Sequence, residues 1–170
     1  MSREDDRIIP GESIGPFRLG ATESDVLAQI GGGSVHREQR DDTQVMHWND
    51  LSFWFDQGQL TQIGAHTSFG GRTAAGIGVG SSLADLSKEG ELGLDLEDGV
   101  IILEDVDGIC FDVGDGLPEM GKMLADELVE GADGPGFHLD AAWLISWIGV
   151  FDPDRVAAIE DEEERASAEA

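Results

Sequence analysis

Apolar residues in this chain fall into short runs separated by glycine and polar turns, and the runs come in two matching series. In the first, Ile14, Phe17 and Leu19 form an extended piece broken by Gly15-Pro16. Ala21-Thr22, or Thr22 alone, can cap a short helix with Glu23 and Asp25 in its first turn and Val26, Leu27 and Ile30 as its apolar stripe. Gly31-Gly32-Gly33 stops that helix. Beyond a polar stretch at residues 36–42 come three apolar runs, 45–48, 51–55 and 59–63, divided by Asn49-Asp50 and Asp56-Gln57-Gly58. Turn-forming residues between runs of strand length predict a three-stranded antiparallel meander.

The second series repeats the plan. Pro16-Phe17-Arg18-Leu19-Gly20-Ala21-Thr22-Glu23-Ser24-Asp25-Val26 returns as Gly76-Ile77-Gly78-Val79-Gly80-Ser81-Ser82-Leu83-Ala84-Asp85-Leu86, and Phe55-Asp56-Gln57-Gly58 as Phe111-Asp112-Val113-Gly114. Ser81 or Ser82 caps a helix carrying Leu83 and Leu86 that ends near Gly90, and residues 100–103 and 109–113 read as strands. A helical pattern at Met120, Met123, Leu124 and Leu128 and a Gly/Pro-rich stretch then precede a final strand over 141–151. The fold class expected is α+β, a tandem duplication of a helix plus an antiparallel meander, with the two meanders joined in one sheet and the helices on one face. The domain plan is a polar leader at 1–10, unit 1 at 11–66, unit 2 at 67–151 with an insertion at 118–136, and an acidic tail at 152–170 read as frayed helix or disorder.

Strands with one solvated face should alternate apolar with polar residues, and these do not alternate cleanly. Leu51, Phe53 and Phe55 share one face while Trp54 takes the other; in the last strand Leu144, Ile148 and Val150 oppose Trp143, Ile145, Trp147 and Phe151. Two apolar faces need two covers, and tryptophans on the second are candidate anchors for another protein. Trp48, Trp54, Trp143 and Trp147 are therefore the candidate partner-binding residues, with Asp105 and Asp107 as acidic groups that steer a basic partner.

Composition sharpens the kind of partner. The chain has 170 residues with 36 acidic against 10 basic side chains, a net charge of −26, and lysine only at Lys88 and Lys122. Such a charge repels nucleic acid and anionic membranes and attracts basic surfaces. The acid is uneven: residues 67–151 hold 17 acidic and 3 basic side chains, residues 1–66 hold 11 and 5. Charge of this kind is also what high-salt cytoplasm selects, since salt screens self-repulsion. No apolar stretch of signal-peptide length opens the chain and none approaches the roughly 18 residues of a membrane span, so a cytoplasmic location is expected. Cys110, the single cysteine, reads as a small core residue.

Catalytic motifs are weak. His36, His47, His66 and His138 lack metal-ligand spacing, Gly76-Ile77-Gly78-Val79-Gly80 lacks the lysine of a phosphate loop, and the aspartates around Gly108 and Gly116 do not fit a hand-type calcium loop. No serine or cysteine stands beside a base in the sequence, so the expectation is a domain without catalysis, metal or cofactor.

The helix starts Leu19-Gly20-Ala21-Thr22-Glu23-Ser24-Asp25-Val26 and Val79-Gly80-Ser81-Ser82-Leu83-Ala84-Asp85-Leu86, with the turn Phe55-Asp56-Gln57-Gly58-Gln59-Leu60, carry a resemblance. Over residues 11–151 the chain resembles the β-lactamase-inhibitor-protein fold and the related small lipoprotein of the outer-membrane β-barrel assembly machinery. The resemblance implies a tandem domain whose joined sheet presents a broad face to another protein. This chain lacks the disulfides of the secreted inhibitors and the anchoring cysteine of the lipoprotein. Two functions follow: a cytoplasmic inhibitor or immunity-type protein that occludes a partner, or an intracellular domain of a halophile, homodimeric through the same face.

Overall fold

Local chemistry sets the hairpins. In a computed structural model that describes residues 6–95, 99–114, 143–155 and 165–168, four strands run His36–Arg40 (β4), Thr43–Trp48 (β5), Leu51–Asp56 (β6) and Gln59–Ala65 (β7). They follow three two-residue pieces, Ile8–Ile9 (β1), Ser13–Ile14 (β2) and Phe17–Arg18 (β3), and the helix Glu23–Ile30 (α1). The turns at Asp41, Asn49 and Gln57 have φ of 50°, 51° and 50°, the left-handed geometry that matches the twist of tightly linked strands. Each turn is two residues long, so pairing begins at Arg40 with Thr43, Trp48 with Leu51 and Asp56 with Gln59.

Later elements are the helix Leu83–Ser87 (α2) and the strands Leu92–Asp95 (β8), Val100–Leu103 (β9), Val106–Asp112 (β10) and Trp147–Phe151 (β11). They complete one antiparallel sheet in the order β4-β5-β6-β7-β11-β10-β9-β8, while β1, β2 and β3 form a separate small sheet. The described chain is thus mostly antiparallel sheet with a few short helices. Strand β7 meets β11 at the centre, with Ile63 opposite Val150, Gly64 opposite Gly149 and Ala65 opposite Ile148.

Each half contributes four strands, where the sequence pattern predicts three. The added ones are the two edges. All five residues of β4 are polar, and an edge strand with little to bury carries no apolar period to read. Strand β8 is too short for its two leucines to establish one. The final strand is also shorter than residues 141–151. Ile145 bonds through its backbone to Ser81 and Gly80, and Ser146 to Asp112, so residues 143–146 leave strand geometry. Ile145 consequently enters the core and Leu144 stays 50% exposed, the reverse of the faces expected from strict alternation.

One face of the sheet is the core. Met46, Phe53, Phe55, Ile63, Ala65, Ile148, Val150, Phe111 and Ile101 are buried there together with Val26 of α1 and Leu83 and Leu86 of α2. A bulge between Trp54 and Phe55 shifts the β6–β7 register by one, which lets Leu60 and Ile63, three apart, both point inward. Residues 1–10, read as a polar leader, supply Ile8, which is 1% exposed in this core. The insertion at 118–136 and most of the tail lie outside the described residues.

Helix α1 starts on a capping box. The Thr22 hydroxyl accepts from the Asp25 N–H at 3.2 Å, and the Asp25 carboxylate accepts from the Thr22 N–H at 3.1 Å. The Thr22 N–H first, and the Thr22 hydroxyl second through its own bond to the carboxylate at 2.9 Å, hold the Asp25 carboxyl below its ordinary pKa. The helix is only eight residues long, and backbone bonds of Gly20 and Ala21 to Leu60 anchor the residues just before it. Thr22→Ala should lower the unfolding free energy by about 1 kcal/mol, measured by urea denaturation; an unchanged midpoint would show that the capping box contributes nothing to the helix start.

Candidate functional site

The face opposite the core is read off the register. His36, His47, Ser52, Gly64, Gly149, Cys110, Ile102 and Gly93 are successive cross-strand partners from β4 to β8, one row across all eight strands. A neighbouring row holds Glu38, Val45, Trp54, Gln62 and Phe151. Trp147 pairs with Asp112 on the other side of the first row.

Glycines in the two central strands make room for the largest side chain here. A Cβ on Gly64 would lie 2.5 Å from the Trp147 indole nitrogen, and one on Gly149 would overlap the same ring. The indole therefore lies against bare backbone and meets Trp54 edge to face, with ring centroids 6.3 Å apart and planes at 86°. Both rings are half-buried, whereas Val45 and Cys110 beside them are buried. Arg155 closes one border of this patch by pairing with Asp56 at 2.8 Å.

The row also assembles a polar cluster. The Ser52 hydroxyl lies 2.7 Å from His47 Nδ1 and 2.7 Å from His66 Nε2, and His47 Nε2 lies 3.4 Å from Glu38 Oε2. His36 stacks on His47 with centroids 6.0 Å apart. Arg40 donates to both oxygens of Glu38, at 2.9 and 3.2 Å. That contact first, and His47 second, hold the Glu38 carboxyl below its ordinary value, while Glu38 raises Arg40. Burial, followed by the nearby His47, pushes His66 down, and Asp50 opposes the shift.

A serine between two imidazoles corrects the expectation that no serine has a base beside it. It does not make a nucleophile: Ser52 is 1% exposed, so no carbonyl carbon can approach its oxygen, and both imidazoles already occupy it. Half of this cluster was within reach of the sequence. A two-residue turn at Asn49-Asp50 places His47 opposite Ser52 by counting outward, but the bulge that sets where β7 ends is not visible locally, and His66 depends on it.

Of the six candidate partner-binding residues, the structure brings two together. Trp54 and Trp147 form the aromatic pair. Trp48 lies on the core side, edge to face with Phe17 at 6.0 Å, and Trp143 also packs against the core. Asp105 and Asp107 are exposed at the start of β10, the end away from Asp112 and its partner Trp147. Among the described residues no three His, Cys, Asp or Glu side chains converge as metal ligands would, and no helix is long and apolar enough to cross a membrane. No protein-family model, curated protein or solved structure matches the chain.

Proposed function

We propose that this chain is a non-catalytic protein-binding domain, an inhibitor or immunity-type protein of the cytoplasm, that occludes a partner with the sheet face bearing Trp54 and Trp147. The observation that carries the reading is that pair: two half-buried indoles in edge contact at the centre of an eight-stranded sheet, one laid on glycines. Large aromatic area at low entropic cost is what interface anchors use. The net charge of −26 selects a basic partner and speeds its encounter.

The scaffold behind the face is a tandem duplication with its helices on the core side. Equivalent hydrogen bonds support this. Gly20 N–H donates to Leu60 O and Leu60 N–H to Ala21 O; Gly80 N–H donates to Ile145 O and Ile145 N–H to Ser81 O. Thr22 caps α1 through Asp25, and Ser82 caps α2 through Asp85. The sheet order reads β4-β5-β6-β7 and then β11-β10-β9-β8, the same helix-and-meander order from either edge. In this reading the seam between copies carries the binding aromatics.

Trp147→Ala should weaken association with a captured partner by about 2 kcal/mol, roughly thirtyfold in Kd, measured by calorimetry on a variant whose circular dichroism is unchanged. Unaltered affinity would remove the face from the interface. A chain that captures no partner and is dimeric in solution would favour the homodimer instead, with the charge reflecting salt.

A further inference from the structure

We propose that Glu38, His47, Ser52 and His66 form a hydrogen-bond chain that accepts one proton but not two, making the Trp147 side of this sheet face sensitive to pH. The limit follows from the number of hydrogens the chain can hold. A serine hydroxyl has one hydrogen to give and two lone pairs. Ser52 stands 2.7 Å from one nitrogen of each imidazole. With both rings neutral the chain closes in one direction: His47 Nε2–H faces the Glu38 carboxylate, His47 Nδ1 accepts the Ser52 hydrogen, and His66 Nε2–H donates to Ser52 Oγ.

One added proton is accommodated. It can sit on His66 Nδ1, leaving every bond in place. Alternatively it sits on His47 Nδ1, which then donates to Ser52 while the hydroxyl turns to a bare His66 Nε2. A second proton leaves both facing nitrogens with hydrogens, so the Ser52 hydrogen loses its acceptor and two imidazolium rings share one oxygen. The surroundings do not neutralise that pair. From β4, His36 stacks on His47, and Arg40 already engages both oxygens of Glu38. From the β5–β6 turn, Asp50 favours the charged form of His66 but is outweighed by burial and His47. Burial keeps His66 neutral to lower pH than a free imidazole, so the unfolded chain binds this proton first. The stability that His66 contributes is therefore present above about pH 6.5 and is lost as the pH falls through the lowered folded value. Opening of the chain reaches the aromatic patch directly, because Gly64, the cross-strand partner of Ser52, is the backbone against which Trp147 rests.

The consequence for binding rests on the reading of this face as an interface, but the chain itself is tested without a partner. Histidine side-chain nitrogens and the Trp147 indole N–H of the full chain are followed by NMR from pH 8 to pH 5. The expected result is that the pair of rings takes up its two protons in two separate steps, with the Trp147 signal moving in the second. Ser52→Thr, which keeps the hydroxyl, should preserve the separation; Ser52→Ala should reduce it and uncouple Trp147. Two results overturn the proposal: both rings charging at the same midpoint in the unaltered protein, or an equal separation in Ser52→Ala, which would assign it to charge repulsion alone. Neither bears on whether Trp147→Ala weakens partner binding, so the two readings fail separately.

Discussion

Phe53→Ala is expected to destabilise the protein by about 4 kcal/mol, the middle of the range for loss of a buried aromatic ring. Phe53 is 0% exposed and sits at mid-strand in β6, with Met46 opposite it on β5 and Ile63 on β7. Its ring meets Phe17 edge to face at 4.8 Å, which ties the N-terminal hairpin to the main sheet. Truncation removes the ring's transfer free energy and leaves a cavity walled by strands that cannot collapse without breaking their ladders. Phe53→Leu should recover about half of the loss, since it refills most of the volume. Urea denaturation read by tryptophan fluorescence tests both; a loss below about 1.5 kcal/mol would mean that this core repacks freely.

The second large effect is a backbone one. Gly108 lies in β10 with φ of 82°, where the pairing with β9 shifts register between Val106 and Cys110. A Cβ there would overlap the Gly11 backbone and come 3.0 Å from the Phe151 carbonyl, and Gly11 N–H donates to Gly108 O at 3.0 Å. Gly108→Ala should cost about 3 kcal/mol: some 1–2 for the left-handed conformation and the rest for separating two backbones that cannot yield. Gly58→Ala is the control, since Gly58 has φ of 77° but open space at its Cβ. It isolates the dihedral part, about 1–2 kcal/mol. Equal losses at both positions would show that the docking of Gly11 on Gly108 contributes nothing.

Elements were legible where the signal is local. Thr22 and Ser82 act as caps as their residue types suggest, and Asn49-Asp50 and Gln57-Gly58 make the turns expected of them. Strands β5, β6 and β7 appear close to the apolar runs that predict them. Edge strand β4 was not legible, because a strand of polar residues has no period to bury. Trp143 and Ile145 leave their expected face because strict alternation does not hold through residues 143–146, whose backbone bonds to Gly80, Ser81 and Asp112 take them out of the strand.

The candidate site divides the same way. Trp54 could be placed away from the core by counting along β6, and Trp147 by counting along β11. That they touch could not be counted, since it depends on pairing β7 with β11, where Gly64 meets Gly149 more than eighty positions away. Trp48 illustrates the limit: its residue type is that of an anchor, but its place in the register puts it against Phe17.

By itself, then, the amino-acid order determined the doubled series of helix start and hairpin, the turn geometries and the inward residues of the best strands, because these follow from contacts between residues a few positions apart. Only the tertiary structure decided which strands meet at the centre, which tryptophans share a face and that Ser52 stands between two imidazoles. Those depend on register between distant strands, and for Ser52 and His66 that register turns on the bulge between Trp54 and Phe55, which offsets the β6–β7 pairs on its two sides by one residue.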